Sequence, residues 1–171
     1  MRTLLERLIW RLWRFEDSVL DSGYSKINFM LDIKICKMVT TRDLAGQENG
    51  WLMEIASSSD GWSRFLDNAQ VYLTVLEPGK KKGFHLHRKK ENQFTCITGK
   101  VIMAVWGGNK ISEEIILDSQ NSVTVRVPKK QAICFYNPGT EDAYILNLCS
   151  PPYDPEDPEQ EDLDLPWEPQ A

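Results

Sequence analysis

From residue 33 onward the chain is a succession of short β-prone runs broken by turn residues, and no other feature limits its fold as much. Such runs lie at 33–39, 51–56, 71–76, 93–98, 101–106, 114–117, 122–127, 132–136 and 144–148. Glycine-bearing turns fall where hairpins need them, at Gly99-Lys100, Gly107-Gly108-Asn109 and Asn137-Pro-Gly139. Nothing in this succession looks like a βαβ pattern, so the expected fold is all-β and antiparallel, a sandwich or barrel. Within 122–127, Val123, Val125 and Val127 alternate with Ser122, Thr124 and Arg126. That alternation predicts a strand with one wet face.

The two ends differ from this middle. Residues 1–22 read as an amphipathic basic helix, with Leu4, Leu5, Leu8, Ile9, Leu12 and Trp13 on one side. Arg2, Arg7, Arg11 and Arg14 speak against a membrane span or a signal peptide. The stripe suits packing on the barrel or on a second subunit, or peripheral membrane contact through residues 1–20. Residues 151–171 are proline-rich and carry eight acidic residues and no lysine or arginine. They read as an extended acidic tail that wraps the surface or crosses to a partner. Between the ends, residues 27–150 form the predicted barrel.

The overall charge of −5 conceals a mildly basic body, because 17 acidic residues stand against 20 basic ones before the tail. No Lys/Arg stripe with interleaved aromatics appears, so an anionic small molecule is expected as partner and nucleic acid is not. Cys36, Cys96, Cys134 and Cys149 lie scattered in apolar runs without a CxxC pair. They read as buried reduced thiols of a cytoplasmic protein.

Chemistry concentrates in Gly79-Lys-Lys-Lys-Gly-Phe-His-Leu-His87, which holds the two histidines of the protein, His85 and His87. Residues two apart in a strand share a face, so both imidazoles point together into a pocket or together into water. In a pocket they would serve as metal ligands or as an acid/base pair, since imidazole titrates near working pH. On the preceding run Gln70, Tyr72 and Thr74 alternate with Val71, Leu73 and Val75, and one of these sets faces the interior.

The spacing of Gly79, His85, His87 and Gly99 resembles the first motif of the cupins, with the acid position falling on Glu91 or Asn92. The second cupin motif is similar to Pro128-Lys-Lys-Gln-Ala-Ile-Cys-Phe-Tyr-Asn137, where Lys130 replaces the glycine and Ile133 the metal-binding histidine. The likeness implies an antiparallel jelly-roll barrel. Losing an imidazole weakens a transition-metal site, so no metal or other cofactor is expected. Trp51-Leu-Met-Glu-Ile55, Ala69-Gln-Val-Tyr-Leu-Thr74, Lys82-Gly-Phe-His-Leu-His-Arg88 and Tyr144-Ile-Leu-Asn-Leu-Cys-Ser-Pro-Pro-Tyr-Asp-Pro155 resemble the dTDP-4-dehydrorhamnose 3,5-epimerases, over most of residues 40–167. The His-x-His-basic segment is also similar to the dTDP-4-keto-glucose 3,4-ketoisomerases.

These resemblances imply proton abstraction next to the carbonyl of a nucleotide-linked 4-keto-6-deoxy sugar. They give His85 the part of general base. His87 and Lys82 are left to polarise the carbonyl or return a proton. The epimerases' acid tyrosine aligns with Asn147, so Tyr136 or Tyr144 would have to substitute. Tyr72, Thr74, Asn92 and Gln93 are expected to line the substrate pocket, and Arg64, like Lys82, to meet diphosphate oxygens. The family's habit of exchanging N-terminal strands implies a homodimer. Ile133 and Asn147 keep open a cupin that binds a sugar nucleotide, or regulates, without catalysis. A third reading is a metal-dependent cupin oxygenase using His85, His87 and Glu91.

Overall fold

The computed structural model describes residues 31–36, 38–42, 45–56, 68–121 and 123–169. The expected N-terminal helix and Arg64 lie outside these residues, as does Ser122. The described residues contain twelve strands. They are β1 (Asp32–Ile35), β2 (Met38–Arg42), β3 (Glu48–Met53), β4 (Gln70–Leu76), β5 (Lys81–His87), β6 (Glu91–Thr98), β7 (Lys100–Trp106), β8 (Ile111–Asp118), β9 (Val123–Val127), β10 (Ala132–Tyr136), β11 (Ala143–Ser150) and β12 (Gln160–Asp162). All pairings are antiparallel, as the short glycine turns require.

Two five-stranded sheets carry the fold, in the orders β1-β9-β6-β11-β4 and β12-β5-β10-β7-β8, with β2-β3 as a separate hairpin. Their facing sides supply a buried core that includes Phe94, Val101, Met103, Val105, Leu117, Val125, Val127, Phe135 and Ile145. Phe94 from the first sheet meets Phe135 from the second edge to face, with ring centroids 5.0 Å apart. This two-layered antiparallel arrangement is the sandwich or barrel expected from the short runs, and it suits the jelly roll that the cupin resemblance implies. The four cysteines are buried and free.

The single expected strand at 33–39 is divided into β1 and β2, which belong to different sheets. A second correction concerns β9, where Thr124 and Arg126 are as buried as the valines. The strand is flanked on both sides, by β1 and β6, and its polar side chains find partners there. Thr124 shares hydrogen bonds with Thr95 (2.7 Å) and Cys36 (3.1 Å). The Arg126 guanidinium pairs with Asp32 at 3.1 Å and Glu91 at 3.4 Å. Alternation therefore marks the two faces correctly while exposure follows position in the sheet.

The acidic segment is part of the second sheet. Its β12 pairs with the edge of β5, with Gln160 opposite His87 and Asp162 opposite His85. Beyond β12, Leu163, Leu165 and Trp167 cover the outer side of the sheet, packing with Phe84, Ile102, Ala104, Ala132 and Cys134. The Trp167 indole donates to Glu114 at 2.6 Å, and Lys81 donates to the Trp167 carbonyl at 2.5 Å. Residues 159–168 thus form an anchored strap along β5.

Candidate active site

The site begins with how β5 meets β10. Lys82 is opposite Phe135 and His85 opposite Ile133, with a register shift between Ile133 and Cys134. Gly83 sits at that irregularity with φ +115°. A Cβ there would come within 2.6 Å of the Ile133 carbonyl oxygen and 3.0 Å of the Cys134 Cα, so only glycine fits. Beyond it the strand alternates normally. Phe84 is buried in the outer cluster, and His85 and His87 turn inward.

The inward side opens into a cavity of about 490 Å³ lined by Tyr72–Val75 of β4, Lys82, His85 and His87 of β5, Phe94, Ile133, Phe135 and Gln160. The β5 side is cationic and imidazole-bearing, β4 adds the hydroxyls of Tyr72 and Thr74, and Phe94, Ile133 and Phe135 supply an apolar floor. A volume of this order suits a small organic ligand.

Each imidazole is met by a carboxylate from the strap. His85 Nδ1 lies 2.7 Å from Asp162 Oδ1, to which the Gln160 amide also donates at 2.7 Å. His87 Nδ1 lies 2.6 Å from Glu159 Oε1. With Nδ1 engaged in both rings, Nε2 is the nitrogen left for a ligand. The Gln160 amide, followed by His85, holds the Asp162 carboxyl below its ordinary range. Burial works to raise the Glu159 carboxyl, but the N–H groups of Lys89 and Lys90 together with His87 bring it below its ordinary value.

Tyr72 supplies a third group that can carry a proton. Its phenol accepts a short hydrogen bond from the Asn147 amide, which also donates to Asn92 at 3.2 Å. Because the phenol oxygen accepts, its own proton is available to a ligand in the cavity. Burial, with a contribution from Cys149, pushes the phenol up to about 12 despite the Asn147 contact. Asn147 therefore orients Tyr72 where the sequence alignment suggested a missing acid.

Of the residues expected from sequence, His85, His87, Lys82, Tyr72 and Thr74 are brought together at the cavity, and Asn92 and Asn147 stand behind Tyr72. Gln93 is buried on the opposite side of β6 from Phe94 and does not line the cavity. Strand alternation likewise turns Tyr136 outward, where its ring packs against Trp167 at 6.5 Å, and sets Tyr144 on the far face from Ile145. Neither tyrosine lines the cavity. Glu91 is engaged by Arg126 and does not complete a triad with the histidines.

Asp162, Glu159 and Gln160 were not foreseen. A signal for them existed, since Leu163, Leu165 and Trp167 repeat with period two and mark an extended segment with one apolar side. Asn137, the last residue of the second motif, is structural. Its side chain donates to the carbonyls of Leu76 and Glu141 and accepts from Gly139, each at 2.8 Å.

Comparison with known proteins agrees with this architecture. The family model described as FdtA: WxcM-like, C-terminal matches residues 31–162. A probable low-salt glycan biosynthesis epimerase of Haloferax volcanii is 24% identical over 133 residues, covering 72% of this chain and 84% of that protein. Among solved structures, the capsular polysaccharide assembling protein CapF of Staphylococcus aureus is 24% identical with a TM-score of 0.54. That match covers 57% of this chain, which spans only 29% of CapF. The dTDP-6-deoxy-D-glucose-3,5-epimerase RmlC of Legionella pneumophila, in complex with dTDP-4-keto-L-rhamnose, is 18% identical with a TM-score of 0.60. The match covers 81% of this chain and 74% of that one. At these identities the two structures speak for the shared fold.

Proposed function

Because the chain belongs to the FdtA: WxcM-like, C-terminal family, we propose that it is a metal-independent epimerase or ketoisomerase of a nucleotide-linked 4-keto-6-deoxy sugar. The observation that carries this reading is the pair of inward imidazoles, each with Nδ1 on a carboxylate and Nε2 left for substrate. Support for the substrate class comes from the glycan biosynthesis epimerase that is similar in sequence and from the dTDP-sugar-bound epimerase that shares the fold. The proposed partners are the sugar nucleotide and a second copy of the chain, and Lys82, which lines the cavity, is placed to meet the anionic ligand.

In this mechanism His85 Nε2 takes the proton from a ring carbon beside the carbonyl. The C–H electron pair becomes the C=C bond of an enolate and the charge moves to the former carbonyl oxygen. Lys82 stabilises that oxygen, and Asp162 stabilises the imidazolium formed on His85. Return of a proton to carbon from Tyr72 gives an epimer. Protonation of the oxygen, removal of the hydroxyl proton on the adjacent ring carbon by His87 Nε2 and protonation of the former carbonyl carbon give the isomeric ketone.

The test is incubation with a dTDP-4-keto-6-deoxy sugar in deuterium oxide, followed by NMR of the ring positions. Deuterium should enter beside the carbonyl, and His85→Asn should slow its entry by about 10²–10⁴-fold with the fold intact. A binding-only role is favoured by Ile133 beside His85 and by Asn147 at the expected acid position. Binding without exchange across a panel of such sugars would establish it in place of catalysis.

We further propose a homodimer through the edge strand β4. Its Val71, Leu73 and Val75 are 57%, 47% and 41% exposed, with Leu73 and Val75 also bordering the cavity, so the unpaired sheet edge offers another chain an apolar row. Light scattering coupled to size exclusion should give twice the chain mass of 19.7 kDa. Val71→Lys with Leu73→Lys should return the monomer mass.

A further inference from the structure

The two histidine–carboxylate contacts are unequal. Asp162 is 76% exposed, so water competes for its contact with His85. Glu159 is 7% exposed and faces a His87 side chain that is 13% exposed. A carboxylate this buried is costly unless its oxygens are filled. Here Oε2 accepts the backbone N–H groups of Lys89 (2.9 Å) and Lys90 (3.4 Å). Oε1 faces His87 Nδ1 at 2.6 Å and the Lys90 ammonium, itself 7% exposed, at 3.8 Å.

An ionised carboxylate only accepts, so the ring nitrogen pointing at it must carry the hydrogen. We propose that Glu159 is a positioning residue which locks neutral His87 as its Nδ1–H tautomer, holding the Nε2 lone pair toward the cavity. The catalytic use of that lone pair rests on the function proposed above, but the lock does not. Nor does the location of His87 depend on the Glu159 side chain. Its carbonyl accepts from Lys130 N at 2.6 Å, and the neighbouring Arg88 N donates to the Glu159 carbonyl at 3.2 Å.

The surroundings specify what a near-isosteric replacement does. In Glu159→Gln the two backbone N–H groups claim the amide oxygen, leaving the NH₂ facing His87 Nδ1. The only imidazole that satisfies that donor has its lone pair on Nδ1 and its hydrogen on Nε2. The substitution therefore inverts the tautomer, and with it the polarity of the nitrogen offered to the cavity.

Long-range ¹H–¹⁵N correlation of the full-length protein at mildly alkaline pH reads this directly, because two histidines give two imidazole patterns. His87 should show a protonated Nδ1 and an unprotonated Nε2, and Glu159→Gln should exchange the two while leaving His85 unchanged. A wild-type His87 with the hydrogen on Nε2, or averaging between tautomers, would overturn the proposal without recourse to any variant. With the sugar nucleotide as substrate, Glu159→Gln should lower kcat by about 10²-fold or more at nearly constant KM, the behaviour of a mis-set tautomer. A locked His87 in a protein that catalyses no exchange would sink the enzyme reading and leave the positioning role standing.

Discussion

Tyr72 shows how one side chain takes a function from its neighbours. The Asn147 amide fills the phenol oxygen, and burial keeps the phenol protonated up to about 12, well above its ordinary 10.0. An acid of this kind holds its proton throughout the neutral and mildly alkaline range. Tyr72→Phe should therefore reduce the rate of isotope exchange by about 10²-fold, while leaving Tm nearly unchanged because Asn147 retains its bond to Asn92. Steady-state kinetics and thermal melts together check this; unchanged exchange would remove Tyr72 from the proton path. The sequence presented Tyr72 as one of two alternating sets and could not say which set was inside. The structure decides it through Leu76, a core residue of the same face.

At the scale of the element, β5 is the part most exposed to a single change. Gly83 combines positive φ with an approach that leaves no room for a Cβ against β10. Gly83→Ala should separate the two strands locally and displace His85, which follows two residues later. A loss of more than about 1 kcal/mol in stability is expected from the strained backbone alone. Denaturant melts and ligand titration would detect both effects, and a wild-type affinity would show that β5 tolerates the shift. The β-elements were legible because their apolar period is two and their turns carry glycine. The β12 strand was not, because Gln160, Glu161 and Asp162 are all polar and exposed, and backbone pairing and the histidines hold them there. What β9 would bury was illegible for a related reason: alternation reports faces, whereas neighbouring strands determine access to water.

At the scale of the whole molecule, the barrel and the strap are joined by charge as well as by packing. Glu159 has a folded-state pKa below its ordinary 4.5, so its contribution to stability is present above that value and is lost as the pH falls through the folded-state one. Tm should decline on acidification below about 4.5, and Glu159→Gln should flatten that part of the profile. Thermal scans across this range test the sign; a variant profile parallel to wild type would show that other carboxylates dominate. The candidate site was legible to the extent that it lies on β4 and β5. Its carboxylates come from a segment some seventy residues later, and only the tertiary pairing of β12 with β5 reveals the association.

That separation along the chain has a consequence for how the protein comes into being. Synthesis proceeds from β1 to β11 before residues 159–168 exist, so the cavity and its histidines are made before the groups that orient them. A nascent barrel would hold the cavity before either imidazole has a carboxylate on its Nδ1, and under the proposed function its histidines would be set for proton transfer only when the strap docks. Residues 151–158, which lead into it, are all exposed. A protease cutting there would sever the strap's covalent link without touching a residue of the cavity wall contributed by β4 or β5, leaving the groups that orient the histidines held by β12 pairing and Trp167 packing alone.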